Sequence, residues 1–251
     1  MNQKILNFLN KINDPLTVNR LLVSTFLKHK NTSTVKNNKI NKLVIQESEI
    51  LYNEFKKFTD ILDKVQQKLC FEELLKLFEF VISPSDKLIN GAIYTPANIR
   101  KYITQESFEL LGNKNIDDIK IADIACGCGG FLIDATRELK RRTKKTYKEI
   151  YKDNIYGVDI QPYSVNRTEI LLALLAIAEG EEDEEEFIFN IHTGDTLKYD
   201  WKDIRFDMIL GNPPYVCSRN MNEGTKKLMK NWSTCKTGHP DLYIPFFSDR
   251  L

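Results

Sequence analysis

Asn212, Pro213, Pro214 and Tyr215 form an uninterrupted set of groups suited to holding a flat, amino-bearing heterocycle. Proline has no N–H for a sheet ladder, and each proline biases the residue before it toward an extended conformation. The apolar run at 206–210 reads as a buried strand, so it must end here and leave as a stiff, extended loop. The loop carbonyls and the Asn212 amide are then placed to accept and donate hydrogen bonds beside an aromatic ring. A strand-end turn that happens to hold two prolines would have the same four residues.

A second set lies upstream, at Asp123, Cys126, Gly127, Cys128, Gly129 and Gly130. A short strand at 120–124 runs into these residues and a helix follows from about 132 to 142. Strand, glycine-rich turn and helix make the first half of a nucleotide-binding α/β unit. The turn lacks the Gly-Lys-Ser/Thr ending of a phosphate loop and the final glycine of the dinucleotide fingerprint. Asp123 at the strand end would repel a pyrophosphate and suits an amino group. A ligand with an ammonium and no phosphate chain fits best. Cys126 and Cys128 have poor spacing for zinc, so no metal is expected, and they read as small, half-buried turn residues.

Three further groups complete the candidate chemistry. A second strand at 154–159 ends in Asp159, where an acid holds the ribose hydroxyls of a nucleoside cofactor or caps the helix expected at 163–178. A third strand, 187–191, leads to Thr193-Gly194-Asp195. Asp195 suits a cofactor adenine amine and suits equally an ordinary turn. Before all of these stands Tyr94-Thr95-Pro96. Thr95 reads as an N-cap with Pro96 at the first helical position. Ile99, Tyr102 and Ile103 then give a helix face, with Leu110 and Leu111 further on and a C-cap at Gly112. The basic, amphipathic stretch 140–152 reads as a solvated helix face or a contact for DNA phosphates, and the acidic run 181–186 as an exposed loop.

The elements that must position these residues divide the chain in two. Residues 1–83 are Lys- and Asn-rich without glycine. Residues 31–41 read as a polar loop. Leu51, Phe55, Phe58, Leu62, Val65 and Leu69 form one stripe along an amphipathic helix, which Leu74, Leu75, Phe78 and Val81 extend. Ser83-Pro84-Ser85 breaks the pattern, so residues 84–251 form the second domain, opening at Gly91. The 251 residues are 42% hydrophobic and carry a net charge of +1, so no global basic signature for nucleic acid exists. Five cysteines without a secretory leader point to a reducing, cytoplasmic setting. The longest apolar run, 170–178, is too short to span a membrane.

Taken in order, Tyr-Thr-Pro, Asp-x-Ala-Cys-Gly-x-Gly-Gly-Phe, Gly-x-Asp, Gly-Asp and Asn-Pro-Pro-Tyr resemble the γ-class N6-adenine DNA methyltransferases. The likeness is greatest to Type I modification subunits and fused restriction–modification enzymes, and it covers about residues 91–251. It implies a Rossmann-like α/β S-adenosylmethionine-dependent methyltransferase fold behind an α-helical N-terminal region. It implies that Tyr94, Thr95 and Pro96 lie against the methionine end of S-adenosylmethionine. Asp123, Cys126, Gly127 and Gly129 form its cradle, Asp159 holds the ribose, Ile160 flanks the adenine and Asp195 takes the adenine amine. Asn212 and the Pro213 carbonyl then bind the target N6 amine, and Tyr215 stacks on a base flipped out of duplex DNA.

That fold normally has seven strands, and four are legible. The chain therefore reads as an N-terminal fragment, cut after the catalytic loop in what looks like a helix beginning near Asp241. Strand four would be an apolar edge, and methylation by the fragment unaided is not expected. A specificity or nuclease subunit, or a further C-terminal domain, is the partner implied. Asn-Pro-Pro-Tyr is shared with protein-glutamine and RNA methyltransferases, which remain an alternative, as does a non-catalytic assembly module with a vestigial site.

Overall fold

The computed structural model describes residues 2–32, 35–65, 68–81, 94–181 and 185–247. Helix α1 (Gln3–Leu9) opens from Asn2, whose side chain accepts the Lys4 N–H. Helix α2 (Pro15–His29) opens from Asp14, which accepts the Leu16 and Thr17 amides, with Pro15 at the first position. Buried residues occur around most of α2, so it is the centre of the N-terminal helices rather than a surface element. The expected polar loop at 31–41 contains a one-turn helix, α3 (Asn38–Asn41), because Asn37 caps it by accepting the Ile40 N–H at 3.1 Å.

The stripe from Leu51 to Leu69 is not one helix. Helix α4 (Tyr52–Lys64) stops at Val65, and α5 (Phe71–Phe80) starts afresh. Between them the Leu69 N–H donates to His29 Nδ1 at 2.9 Å, and the Cys70 N–H donates to Glu73 at 3.1 Å. Val65 and Leu69 still pack against the shared core, so the spacing of apolar residues survives a break in the backbone. The break at Ser83-Pro84-Ser85, the boundary placed there and Gly91 lie outside the described residues. On either side of them the core is continuous: α1, α2, α4 and α5 share one apolar cluster with the α/β part.

Helix α6 (Ala97–Glu109) has Pro96 at its N-cap position with no side-chain cap, so Thr95 lies one residue outside the cap predicted for it. The apolar face read from the sequence is turned to solvent. Ile99, Tyr102 and Ile103 are exposed, whereas Arg100, Thr104 and Phe108 are buried. Burial of the two polar residues is offset by partners: Arg100 binds Asp134 at 2.6 Å and Thr104 donates to the Arg100 carbonyl at 2.9 Å. The helix ends at Leu110, and Gly112 follows at φ +60° rather than forming the cap.

Four parallel strands follow: β1 (Ile121–Asp123), β2 (Ile155–Asp159), β3 (Asn190–Thr193) and β4 (Met208–Ile209), in the spatial order β3-β2-β1-β4. Helix α7 (Gly130–Arg142) and the short α8 (Tyr147–Asp153) connect β1 to β2, and α9 (Pro162–Ala178) connects β2 to β3. Ile121, Ile155 and Ile191 face the helices, while Ala122, Ile124, Tyr156 and Val158 face the other way. The second face is covered by Tyr199, Trp201, Ile204, Phe206 and Phe246. β3 begins later than its apolar run because Phe187 and Phe189 pack on Tyr151 of α8, with ring centroids at 5.5 and 5.3 Å. β4 is shorter than the run at 206–210, because Phe206 turns onto Trp201 and Tyr156. Among the described residues it pairs with β1 alone, and it leaves Ile209 48% exposed, as an edge strand does.

The basic stretch at 140–152 is split between α7 and α8, and its charges are largely neutralised. Lys140 pairs with Glu181, Arg141 with Glu138, Arg142 with Glu109 and Glu138, Lys145 with Asp153 and Lys148 with Glu185. Of the acidic run, 182–184 lie outside the described residues. Beyond β4 a small separate cluster forms around helix α10 (Glu223–Met229) from Val216, Met221, Met229, Trp232 and Cys235. The helix expected from Asp241 is a short 3-10 turn at Ile244–Phe247; 248–251 lie outside the described residues. Among the described residues no helix is long and apolar enough to cross a membrane.

Candidate functional site

Parallel strands deliver their final residues to one edge of the sheet, and that edge is where open α/β sheets bind ligands. Asp123 ends β1, Asp159 ends β2, Asp195 follows β3 and Asn212 follows β4. All four line one cavity of about 360 Å³, with Tyr94, Thr95, Cys126, Gly127, Ile160 and Pro214 also in its wall. The volume falls within the range of ordinary small-ligand sites. Cys128, 1% exposed, and Arg100 line it too.

The glycine turn is tied down from both sides. The Cys126 N–H donates to the Val158 carbonyl at 3.0 Å, and the Gly127 N–H donates to Asp159 Oδ2 at 2.9 Å. The other Asp159 oxygen accepts the Gln161 N–H at 2.9 Å, which starts the path into α9. Asp159 thus organises the turn and lines the cavity, whereas the N-cap position of α9 falls to Gln161, without a side-chain cap. Gly129 opens α7 at φ +78°, where a Cβ would stand 2.6 Å from Thr168 Cγ2. Thr168 in turn donates to the Gly127 carbonyl at 2.9 Å. Cys126 and Cys128 are fully buried rather than half-buried, because the turn folds beneath α9 and Tyr94.

The electrostatics favour a cationic ligand. Asp123 is 2% exposed. Burial, with the neighbouring Asp159 charge adding to it, pushes its carboxyl up to about 7, although the Ala125 N–H at 3.1 Å opposes the shift. Burial also raises Asp159. Two acids that resist ionisation next to one another would gain from a positive group between them. Burial holds Cys128 up at about 12 and lifts Cys126 and the Tyr94 hydroxyl well above their usual ranges, so all three are neutral near pH 7. Among the described residues no group of three His, Cys, Asp or Glu is arranged to hold a metal ion.

The proline loop reaches the same cavity through Gly211. A Cβ at this position would lie 2.7 Å from Asp123 Oδ1, so a side chain here would have to displace the acid. The far end of the loop is fastened by Asp241, whose Oδ1 accepts the Val216 N–H at 3.0 Å, while the Leu242 N–H donates to the Val216 carbonyl at 3.0 Å. Tyr215 is 44% exposed at the rim, its ring centroid 5.5 Å from that of Tyr243.

Several of the expected residues stand outside the cavity wall. Pro96 lines a smaller neighbouring hollow of about 180 Å³ beside Glu72, Thr95 and Arg100. Gly129 lies beneath the turn, and Pro213 and Tyr215 are not part of the lining. Asp195 is engaged by the Leu197 N–H at 3.1 Å and Lys198 at 3.2 Å. Two contributors escaped the sequence reading. Arg100 is the single cation among the described lining residues, and Asp241 carries no local pattern beyond following a proline.

Residues 153–251 match the family model of the Eco57I restriction-modification methylase. The chain is similar to the Type II restriction enzyme and methyltransferase RM.Eco57I of Escherichia coli, 27% identical over 224 residues, 67% of this chain and 22% of that protein. It is also similar to the Type I restriction enzyme MjaIX methylase subunit of Methanocaldococcus jannaschii, 27% identical over 187 residues, 73% of this chain and 28% of that one. The chain thus spans about a quarter of the length of these relatives. Among solved structures, the type IIG restriction endonuclease BpuSI superposes with a TM-score of 0.59 at 17% identity, over 86% of this chain and 26% of its own. A Listeria monocytogenes protein described as a class I S-adenosylmethionine-dependent methyltransferase gives 0.50 at 16% identity, over 98% and 68%. The fold is the Rossmann-like one of the class I methyltransferases.

Proposed function

We propose that this chain contains the cofactor site and catalytic loop of a restriction–modification DNA methyltransferase that methylates adenine at N6. The observation that carries the reading is the shared cavity: Asn212 and Pro214 open into the same space as Asp123, Asp159 and Asp195. The residues fit S-adenosylmethionine. Buried acids with raised proton affinity suit its ammonium and sulfonium groups, and nothing in the turn is built for a phosphate chain.

When bound, the cofactor supplies an electrophilic methyl group on a positively charged sulfur. Asp159 serves the ribose hydroxyls while it holds the Gly127 amide, and Ile160, 56% exposed, offers an apolar surface to the adenine. Asp195 serves the cofactor amine in competition with Lys198. The Asn212 side chain and the Pro213 carbonyl accept the two hydrogens of the target amine. That removes its lone pair from ring conjugation and aims it into the cavity. Tyr215, backed by Tyr243, stacks on the extruded base. No strong base is needed: rate comes from orientation.

Isothermal calorimetry with S-adenosylmethionine and S-adenosylhomocysteine tests the cofactor assignment, and tritium transfer to adenine-containing duplexes tests the acceptor. Binding of both nucleosides, lost in Asp123→Ala, is expected. Absence of heat with either would overturn the reading.

A further inference from the structure

The stretch between the catalytic loop and Asp241 differs in charge from everything around it. Residues 216–240 hold Arg219, Lys226, Lys227, Lys230 and Lys236 against one acid, Glu223. The stretch has a net +4 in a chain whose total is +1, so the other residues together carry −3. Glu223 pairs with Lys226 at 2.8 Å, and Arg219, Lys227, Lys230 and Lys236 are exposed. Lys226 and Lys230 stand one turn apart on α10 and its C-cap, so they share a side of the helix.

This charge belongs to a defined lobe. Val216, Met221, Met229, Trp232 and Cys235 pack into their own small cluster, separate from the main core. Asn220, Met221, Asn222 and Thr225 form one wall of the cofactor cavity, so the lobe starts where the target base would enter. Two buried polar atoms of the lobe, Ser218 Oγ and Trp232 Nε1, lack a hydrogen-bond partner. The basic stretch at 140–152, by contrast, has five of its cations engaged by carboxylates.

We propose that the lobe at 216–240 is the surface on which duplex DNA rests, its lysines and Arg219 taking the phosphates that flank the base directed at Asn212. The inference rests on the methyltransferase reading for the identity of the polyanion. Phosphate neutralisation is independent of sequence and releases counterions, so it leaves a signature in the salt dependence of binding. Unstacking a base carries a cost, and contacts that hold its flanking backbone help to offset it. A positive lobe beside the cavity supplies that hold without touching base edges.

The test is fluorescence anisotropy of a labelled duplex with the 251-residue chain and with Lys227→Glu/Lys230→Glu/Lys236→Glu, across about 50 to 200 mM salt. The variant is expected to bind at least tenfold more weakly at the lowest salt. Its log–log salt slope should flatten by roughly 2 to 3, near 0.9 per lost phosphate contact. The Lys→Gln triple variant should show the same slope change with a smaller loss, which covers the case of a charge reversal that does not fold. Lys56→Glu/Lys57→Glu, on the exposed side of α4, should change neither quantity. Unaltered affinity and slope in both triple variants would overturn the inference, as would an equal loss in the α4 control. Calorimetry with S-adenosylhomocysteine separates the two claims. A chain that binds DNA through this lobe without cofactor heat would sink the methyltransferase reading and leave the surface standing. Normal cofactor binding with an unaffected duplex would do the reverse.

Discussion

Asn212 and Asp123 occupy the two ends of the proposed transfer, and substitution at each should separate binding from chemistry. Asn212→Ala removes an acceptor for the target amine and leaves the cradle untouched. In an assembly with the partner that makes transfer possible, methyl transfer should fall by about 10²-fold or more, as misplacement of a reacting group does. The calorimetric Kd for S-adenosylhomocysteine should stay within about threefold, a criterion set well inside that loss. Asp123 gives the pH dependence. Its folded value of about 7 lies above its ordinary 3.8, so between those limits the folded chain holds a proton that the unfolded chain has lost. Stability is therefore greatest at the acid end of that window and declines as pH rises through about 7, by up to roughly 4 kcal/mol at about 1.4 kcal/mol per unit. Asp123→Asn should flatten this decline in urea titrations. A cationic ligand reverses the preference, because it favours the ionised acid. Cofactor affinity should therefore rise with pH up to about 7, with proton release visible as a dependence of binding heat on the buffer.

At the scale of the element, the glycine turn is the joint between β1 and α7, and its geometry leaves no room for a side chain. Gly129→Ala meets both a positive φ and the Thr168 methyl. A loss of about 1–3 kcal/mol in chemical denaturation is expected from the backbone, with a further cost from the clash. Adding Thr168→Ser, which deletes that methyl and keeps the hydroxyl bound to the Gly127 carbonyl, should recover the largest part of the clash, leaving the tight approach to Oγ1 at 3.0 Å and the backbone component. Elements also show where periodicity misleads. On α6 Ile99, Tyr102 and Ile103 point outward while Arg100 is buried against Asp134 and Glu72, and a hydropathy pattern has no means of recording a partner distant in sequence. The stripe through Leu51–Leu69 was legible as burial but not as a helix, since α4 and α5 meet the same core across a break.

At the scale of the whole molecule, the N-terminal helices and the α/β part are joined by a shared core, by the Lys39–Glu169 pair, by Arg167 on Asn19 and the Phe78 carbonyl, and by a charged knot. Arg100 on α6 reaches Asp134 on α7 and Glu72 on α5, and Glu72 also holds Arg137 at 2.7 Å. Arg100→Met would strand Asp134 without its main cation in a buried place. A loss of about 3–5 kcal/mol is expected, the usual consequence of breaking a buried ion pair on one side. Urea denaturation measures it. Removal of residues 1–81 should expose the faces of α7 and α9 that lie beneath α2 and α5. The shortened chain is expected to bind a hydrophobic dye and aggregate, which sedimentation would show; a monomeric, cofactor-binding product would contradict it.

The sequence by itself settled which residues could do chemistry, because the constraints there are local. Two consecutive prolines must end a strand, and an acid followed by closely spaced glycines must turn tightly. Alternating strand and helix signals must give parallel strands whose acid-bearing ends lie on one edge. What only the tertiary structure decided is everything that depends on residues distant in the chain. It put Gly211 against Asp123, set Asp241 to fasten the loop, buried Arg100 in a charged knot and paired five of the 140–152 cations with carboxylates. It also left Arg219, Lys227, Lys230 and Lys236 exposed beside the cavity. Burial and charge pairing are properties of neighbours in space, and a linear pattern carries no record of who those neighbours are.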